Sequence, residues 1–223
     1  MGGTPVRILL ARHGETVFNV EGRWQGQADS PLTDRGRAQA GELARALADE
    51  PIAAVYSSDL GRATDTARAV AAPHALEVRP EPRLREIDVG EWTGKHRDEI
   101  NAAYPGGLKA WATQPSSYQL PNGENIRDAQ SRALEFFAER MPSHAGETVV
   151  VISHGALCQA ILVNAMGGTV DDLWLKEGVD NCQISRLEWS TDGGLNLIQL
   201  VDVRHLENVG SLRVWRTTER DRA

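Results

Sequence analysis

The sequence predicts an α/β protein, a three-layer α/β/α sandwich around a mostly parallel central sheet. Short β-prone runs alternate along the chain with segments that carry apolar residues at helical spacing. The chain contains no internal repeat and no low-complexity tract. Strands that alternate with helices pair in parallel and are covered by helices on both faces. We therefore expect a single domain over residues 1–223.

The first half of the chain supplies three predicted strands and two predicted helices. The β-prone runs lie at residues 6–11, 52–57 and, more weakly, 76–78. Thr33 is a suitable N-cap for a helix over about 34–49. A second helix is expected directly after Leu60, because small and apolar side chains follow it at i, i+3, i+4 and i+7 spacing.

Three segments lack this regular patterning. Pro80 and Pro82 introduce a stretch over about 83–93 that we expect to be loop. The stretch at about 95–123 is rich in glycine and proline. It is either a lid-like insertion over a site or an ordinary surface loop. The charged end at about 216–223 is expected to be frayed.

The second half holds the clearest helix and the clearest strand. The helix is expected over about 124–140 and the strand over 148–152. A further apolar helix begins soon after that strand ends. Two late strands, at 183–188 and 195–200, are joined by Asp192-Gly193-Gly194, which favours a hairpin turn.

Composition and charge exclude several classes of function. With 24 basic and 31 acidic residues the formal charge is −7, whereas a general nucleic-acid binder needs a basic face. Cys158 and Cys182 form neither a disulfide framework nor a metal knuckle. We find no secretory signal and no apolar run near the roughly 18 residues of a membrane helix. We expect a cytoplasmic protein without nucleic-acid or membrane partners, and leave the assembly open, a homodimer being one option.

The candidate site lies where the predicted parallel strands end. Ligands of open α/β sheets bind beyond the carboxyl ends of the strands. Arg12 and His13 end the first strand, His154 follows the strand at 148–152, and Arg62 lies one turn into a helix. If these strands are neighbours, two imidazoles and two guanidiniums meet in a negatively charged chain. Such a pocket suits a phosphoryl group, because guanidiniums bind phosphate oxygens in bidentate pairs.

These residue types favour a phosphoryl transfer in two steps. A neutral imidazole nitrogen can attack phosphorus and form a phosphohistidine. A second imidazole, if protonated, can stabilise charge on the equatorial oxygens. The leaving alkoxide needs a proton, and Glu86 is the candidate general acid, with Asp88 and Glu91 as rival carboxylates nearby.

The candidate residues stand in five motifs that keep a fixed order over roughly residues 6–206. The motifs are Arg12-His13-Gly14-Glu15-Thr16, Ser57-Ser58-Asp59-Leu60-Gly61-Arg62, Glu86-Ile87-Asp88, Gly123-Glu124-Asn125 and Ser153-His154-Gly155. In order and spacing they resemble the histidine phosphatase superfamily, the phosphoglycerate mutase-like group. The resemblance implies that group's fold and a reaction that uses neither a metal nor a cofactor.

The same resemblance implies a role for each site residue. His13 would be the phosphorylated nucleophile and Glu86 the proton donor. The phosphate pocket would be formed by Arg12, Arg62 and His154. Asn19 would contact the phosphate, and the rim of the pocket would be shaped by Gln25 and Gly26.

The end of the chain indicates a branch of the superfamily. The segment between Glu86 and His154 is shorter than in the mutases, which favours hydrolysis. The runs Asp180-Asn181 and His205-Leu206-Glu207 resemble the tail of metal-independent phosphoserine phosphatases and related small-metabolite phosphatases. In the phosphoserine enzymes the His corresponding to His205 helps to hold the substrate. Val89 replaces a further His of those enzymes. His205 is therefore either a substrate contact or a structural residue at a strand end.

We predict a metal-independent phosphomonoesterase that hydrolyses a small phosphorylated metabolite through a phosphohistidine, phosphoserine being one candidate. The alternatives are a phosphoglycerate mutase and a non-catalytic phospholigand-binding module. The non-reacting end of the substrate is expected to meet Trp111, Tyr118 and His205. The remaining histidines are expected at the surface; they are His74, His96 and His144.

Overall fold

The structure is a computed structural model that describes residues 4–172 and 178–209. The tail predicted to fray, at about 216–223, lies outside these residues. Among the helices of the described ranges, none has the length and apolar character needed to cross a membrane.

The described strands form one six-stranded sheet. They are β1 (Val6–Arg12), β2 (Ile52–Ser57), β3 (Val78–Pro80), β4 (Thr148–Ser153), β5 (Ile184–Ser190) and β6 (Gly194–Asp202). Their order in the sheet is β3-β2-β4-β1-β5-β6. The first four strands pair in parallel, whereas β5 pairs antiparallel with both β1 and β6. The predicted parallel sheet is confirmed, and the predicted hairpin forms its antiparallel edge.

Helices cover both faces of this sheet. They are α1 (Val17–Glu21), α2 (Asp34–Leu47), α3 (Gly61–Ala71), α4 (Arg97–Ala103), α5 (Gly107–Thr113), α6 (Ile126–Arg140) and α7 (Gly155–Ala165). Successive side chains of a strand point to opposite faces, so Leu9 packs with α2 and α3. Its neighbours Ile8 and Leu10 pack with α6 and α7 on the other face. The expected three-layer α/β/α architecture is therefore confirmed.

Two elements differ from the prediction. β3 begins at Val78, two residues later than expected, because Ala75 adopts a left-handed φ of 54° and turns the chain first. The segment at 95–123 contains α4 and α5 rather than only loop. Ile100 and Trp111 are buried by these two helices, so the insertion packs onto the core.

The prediction that His144 lies at the surface is wrong. His144 is buried, in a 3₁₀ turn that follows α6 and packs against β2. Its Nε2 lies 2.9 Å from the hydroxyl of Tyr56, and its Nδ1 lies 2.6 Å from a carboxylate oxygen of Glu147. Both ring nitrogens are thus satisfied by structural partners. His74 and His96 are half-buried.

Candidate active site

The carboxyl ends of β1, β2 and β4 meet at one edge of the sheet. Arg12 pairs with Ser153 across β1 and β4, and the amide of His13 donates to the Ser153 carbonyl over 2.9 Å. This register places the His13 and His154 rings with their centroids 5.1 Å apart. β2 lies on the other side of β4, and the helix that follows it delivers Arg62 to the same point.

The tautomer of His13 follows from its hydrogen bonds. Its Nδ1 lies 2.7 Å from the Gly14 carbonyl, which can only accept, so Nδ1 carries the hydrogen. The Nε2 accepts from the Nε of Arg62 over 3.3 Å. Burial, and then the Arg62 and Arg12 guanidiniums, hold the pKa of His13 well below its ordinary range, although the Gly14 hydrogen bond raises it. The imidazole is therefore neutral, with a lone pair on Nε2.

Arg62 is fixed by backbone carbonyls. Its Nη2 donates to the carbonyl of Gly26 over 2.7 Å, and its Nη1 donates to that of Ala28 over 2.8 Å. Gly26 has a φ of 53° and lies so close to Val89 that a Cβ would approach a side-chain carbon to 2.6 Å. Gly26 therefore lets this loop pass close enough to receive the guanidinium.

Arg12 and His154 carry buried polar atoms without a partner. The Nη1 of Arg12 donates to the Val179 carbonyl over 2.8 Å, but its Nε has no partner among the described residues. Both ring nitrogens of His154 are buried and likewise unpaired within the described ranges. Burial and the nearby guanidiniums hold the pKa of His154 well below its usual range. Arg12 lines the described cavity, whereas His154 lies outside its lining with its ring 5.1 Å from that of His13. Buried polar groups are normally satisfied, so these atoms indicate a ligand beside His13.

Glu86 lies at the N-terminus of α7. Its carboxylate oxygens accept from the backbone amides of Ala156 and Leu157, each over 3.0 Å. The amide of Ile87 donates to the same group over 3.0 Å. The first amides of a helix favour an anion. Glu86 is therefore held at a defined position on the cavity wall.

The two rival carboxylates do not line the cavity formed by the described residues. Asp88 accepts from the amide of Gly90 over 2.9 Å and so closes a local turn. Glu91 is exposed and bonds to the Tyr104 hydroxyl. Of the three candidates, Glu86 alone is placed to meet a substrate in the described cavity.

A half-buried arginine supports the Glu86 loop and was not singled out from the sequence. Arg132 on α6 makes a bidentate pair with Glu124 over 2.8 and 2.9 Å. It also donates to the carbonyls of Arg83 and Glu86 over 2.7 and 3.1 Å. The Glu124 carboxylate in turn accepts from the amide of Asp88 over 3.3 Å. This clamp gives the Gly123-Glu124-Asn125 motif a structural role.

The rim residues Asn19, Gln25 and Gly26 all line the cavity. The Oδ1 of Asn19 accepts from the Thr16 amide and from the Nδ2 of Asn181. Asn181 also donates to the His13 carbonyl over 2.9 Å. Asn181 is therefore a second supporting residue, to which sequence reasoning gave no role.

The structure does not bring His205 to this site. Its Nε2 lies 2.9 Å from the carbonyl of Cys182, in a 3₁₀ turn that follows β6. There it borders a separate surface depression with Arg186 and Asp202. The substrate contact expected for His205 is absent from the described cavity. Tyr118 is also absent from that lining, with its ring 5.8 Å from that of Trp92.

The cavity bounded by the described residues has a volume of about 120 Å³. Its inner end is formed by Arg12, His13, Arg62 and Glu86. Its remaining wall combines apolar side chains with five polar or charged ones. The apolar residues include Phe18, Trp24, Ile87, Val89 and Trp111, and the polar or charged residues are Asn19, Arg23, Gln25, Gln159 and Asp180. Within the described ranges, no group of three or more His, Cys, Asp or Glu residues could hold a metal ion.

Comparisons with known proteins agree with this geometry. Phosphoserine phosphatase 1 of Hydrogenobacter thermophilus is 35% identical over 180 residues, 81% of this chain and 85% of that protein. A probable phosphoglycerate mutase GpmB of Enterobacter is 30% identical over 206 residues, 91% of this chain and 95% of that protein. The solved structure of Bacillus stearothermophilus YhfR superposes with a TM-score of 0.85 at 35% identity, covering 91% of this chain and all of that one.

A family model extends the match over most of the chain. The model of the histidine phosphatase superfamily (branch 1) matches residues 8–202. This range contains all five sequence motifs and the carboxyl end of every strand that contributes to the cavity. The sequence motifs, the order of the strands in the sheet and the similar proteins all point to one family. This chain belongs to the histidine phosphatase superfamily.

Proposed function

We propose that this protein is a metal-independent phosphomonoesterase that hydrolyses a small phosphorylated metabolite through a phosphohistidine on His13. The observation that carries the proposal is the position of the neutral Nε2 of His13 beside buried donors that have no partner among the described residues. Those donors belong to Arg12 and His154. A phosphoryl group would satisfy these donors and present phosphorus to the nitrogen lone pair.

In the first half-reaction, the Nε2 of His13 attacks phosphorus and a P–N bond forms as the ester P–O bond breaks. Glu86 acts as the general acid and donates a proton to the departing alkoxide oxygen, so the alcohol leaves neutral. In the second, the Glu86 carboxylate takes a proton from water, whose oxygen attacks phosphorus. The P–N bond then breaks, and inorganic phosphate leaves the pocket.

The electrostatics of the pocket support this scheme. The Arg12 and Arg62 guanidiniums provide positive charge for the transferring phosphoryl oxygens in a chain of net charge −7. The same guanidiniums help to keep the pKa of His13 low, so the nucleophile stays neutral. His154 also has a lowered pKa, and we propose that it binds the phosphoryl group as a neutral N–H donor rather than as the imidazolium expected from the sequence.

The alternatives differ in the fate of the phosphoryl group. A mutase, the activity named for one relative, would pass it to a phosphoglycerate acceptor instead of water. A non-catalytic binding module would retain the ester intact. The name of another relative makes phosphoserine one candidate substrate. The net charge supports a metabolite rather than a nucleic acid as the partner.

The test is phosphate release from p-nitrophenyl phosphate and from a panel of phosphorylated metabolites in excess EDTA. We expect steady hydrolysis of the aryl ester and selective hydrolysis within the panel. Loss of activity on chelation, restored by a divalent ion, would contradict the metal-independent scheme. Radiolabelled phosphate that appears in an added phosphoglycerate faster than in solution would identify a mutase. A protein that neither releases phosphate from any ester nor transfers it to phosphoglycerate would favour the binding module.

A further inference from the structure

One buried polar side chain on the cavity wall has no part in the phosphate pocket. Gln159 of α7 is only 5% exposed and lines the cavity. Its Oε1 is buried and has no hydrogen-bond partner within the described residues. A buried amide oxygen without a partner lowers stability, so its presence here indicates a ligand group that completes it.

The helix directs this amide toward the bound substrate. Gly155, Ala156 and Gln159 all line the cavity, as expected for residues that share one face of a helix. Helical side chains lean toward the N-terminus of their helix, which here is the end that holds Glu86. At a rise of roughly 1.5 Å per residue, the backbone of Gln159 lies about 6 Å farther along the axis of α7 than that of Gly155. It is therefore placed to meet the alcohol part of an ester whose phosphate lies at His13.

The neighbouring charges disfavour a substrate carboxylate at this place. Asp180 is buried and lines the same cavity, so its carboxylate would repel a second one. Arg23 also lines the cavity, but its guanidinium is engaged by Glu21 over 2.9 Å and by the Gly94 carbonyl over 2.7 Å. His205, for which one expectation was a substrate contact, lies at another part of the surface.

A hydroxyl group fits these surroundings. It can donate to the amide oxygen or accept from the amide nitrogen, so it pairs with Gln159 whichever way the amide is turned. It carries no charge to oppose Asp180. The apolar side chains of Val89 and Trp111 can cover the carbon chain of a small alcohol.

We propose that Gln159 determines specificity, and that the site selects phosphate esters of polyols over esters of carboxylated alcohols such as phosphoserine. The inference rests on the phosphatase function proposed above and narrows its substrate class. It disfavours phosphoserine, the candidate substrate that the resemblance of the tail suggested.

The test compares three esters on the wild type and on Gln159→Leu. Glycerol 3-phosphate and propyl phosphate differ only in hydroxyl groups, and phosphoserine carries the carboxylate. In the wild type, kcat/KM for glycerol 3-phosphate should exceed that for each of the other two about tenfold. In Gln159→Leu the ratio of kcat/KM for glycerol 3-phosphate to kcat/KM for propyl phosphate should fall to about two. The kcat/KM for propyl phosphate itself should change little.

Two controls separate recognition from folding. Asn164→Leu makes a similar change on the same helix at a residue outside the described cavity lining, and it should retain the wild-type preference. Gln159→Met provides a second apolar replacement of the same length, and melting curves of all variants verify folding. Equal losses on all esters would assign Gln159 a structural role. A wild type that prefers phosphoserine, with a preference that Gln159→Leu leaves unchanged, would overturn the inference.

Failure of the proposed function has a different signature. A wild type that hydrolyses none of the esters, including p-nitrophenyl phosphate, contradicts the phosphatase proposal. The role of Gln159 is then decided by calorimetric Kd values for glycerol 3-phosphate and propyl phosphate on His13→Ala, which cannot turn over. Tighter binding of glycerol 3-phosphate that disappears in His13→Ala/Gln159→Leu supports recognition by Gln159. Equal Kd values for the two esters overturn it.

Discussion

The Nε of Arg62 donates to the Nε2 of His13 over 3.3 Å. A guanidinium can only donate, so this contact requires a lone pair on the imidazole nitrogen. Because the Gly14 carbonyl holds the hydrogen on Nδ1, the chain selects the one neutral tautomer that offers Nε2 to an electrophile. The same arginine that fixes the nucleophile is placed to bind the phosphoryl oxygens.

The first prediction follows from this tautomer. His13→Ala should lose turnover by about 10³-fold or more, since the covalent nucleophile is removed. In the wild type, rapid mixing with a radiolabelled ester and an alkaline quench should trap label on His13. The label should be stable in alkali and lost in acid. His74→Ala, which changes a histidine outside the described cavity, should label normally. Acid-stable label on a serine would refute the assignment.

The second prediction concerns Glu86. Glu86→Gln cannot deliver a proton, so an alkyl ester should lose about 10²–10⁴-fold in kcat while an aryl ester loses much less. The substitution also places an NH₂ group opposite either the Ala156 or the Leu157 amide, so melting curves must accompany the kinetics. Glu91→Gln, outside the described cavity, is the matched control. Equal losses on alkyl and aryl esters would show that Glu86 acts only in structure or binding.

Much of the fold could be predicted because its long elements are locally patterned. β4 and α6 were expected within two residues of where they lie, since a buried strand and an amphipathic helix carry periodic apolar residues. α4 and α5 have seven residues each. Helices this short are not stable alone, and they depend on burying Ile100 and Trp111. That burial depends on contacts with distant parts of the chain, which a short stretch of sequence does not reveal.

Some residues of the site could be predicted from the sequence and others could not. Residues at strand ends, such as His13 and His154, could be located because the topology of a parallel sheet brings those ends together. From the sequence alone, Arg132 is an ordinary charged residue of an amphipathic helix. Two of its acceptors are the carbonyls of Arg83 and Glu86, which are more than 40 residues away in the chain. His205 could not be assigned from the sequence alone, which left it as either a substrate contact or a structural residue. Its motif matched, but the Cys182 carbonyl holds it at another part of the surface.

The third prediction tests the clamp beneath Glu86. Arg132→Met leaves the Glu124 carboxylate and two backbone carbonyls without their partner, so unfolding free energy should fall by roughly 2–3 kcal/mol, allowing for the partial exposure of the pair. Urea titration measures this loss. Arg127→Met, on the exposed side of the same helix, should cost less than about 0.5 kcal/mol.

Kinetics distinguish positioning from stability in that variant. If Arg132 positions Glu86, Arg132→Met should lower kcat for an alkyl ester more than for an aryl ester, at a temperature where the variant is folded. Adding Glu124→Gln should recover part of the stability, because the unpaired charge is removed, but not the alkyl-ester rate. Equal rate losses for both esters would limit Arg132 to a structural role.

The last prediction links the buried imidazoles to the pH dependence of stability. In the folded protein the pKa of His154 lies well below its ordinary value, chiefly because of burial, whereas in the unfolded chain it is about 6.5. As pH falls below about 6.5, the unfolded chain binds the proton first, so the folded state loses stability. The loss attributable to His154 is at most roughly 1.4 kcal/mol per pH unit.

His154→Gln removes this titration, so the unfolding free energy of the wild type should fall more steeply than that of the variant between pH 6.5 and 5. Asn164→Gln, which changes no ionisable group on the same helix, should keep the wild-type slope. Parallel curves for the wild type and His154→Gln would show that this imidazole is not held neutral by the fold.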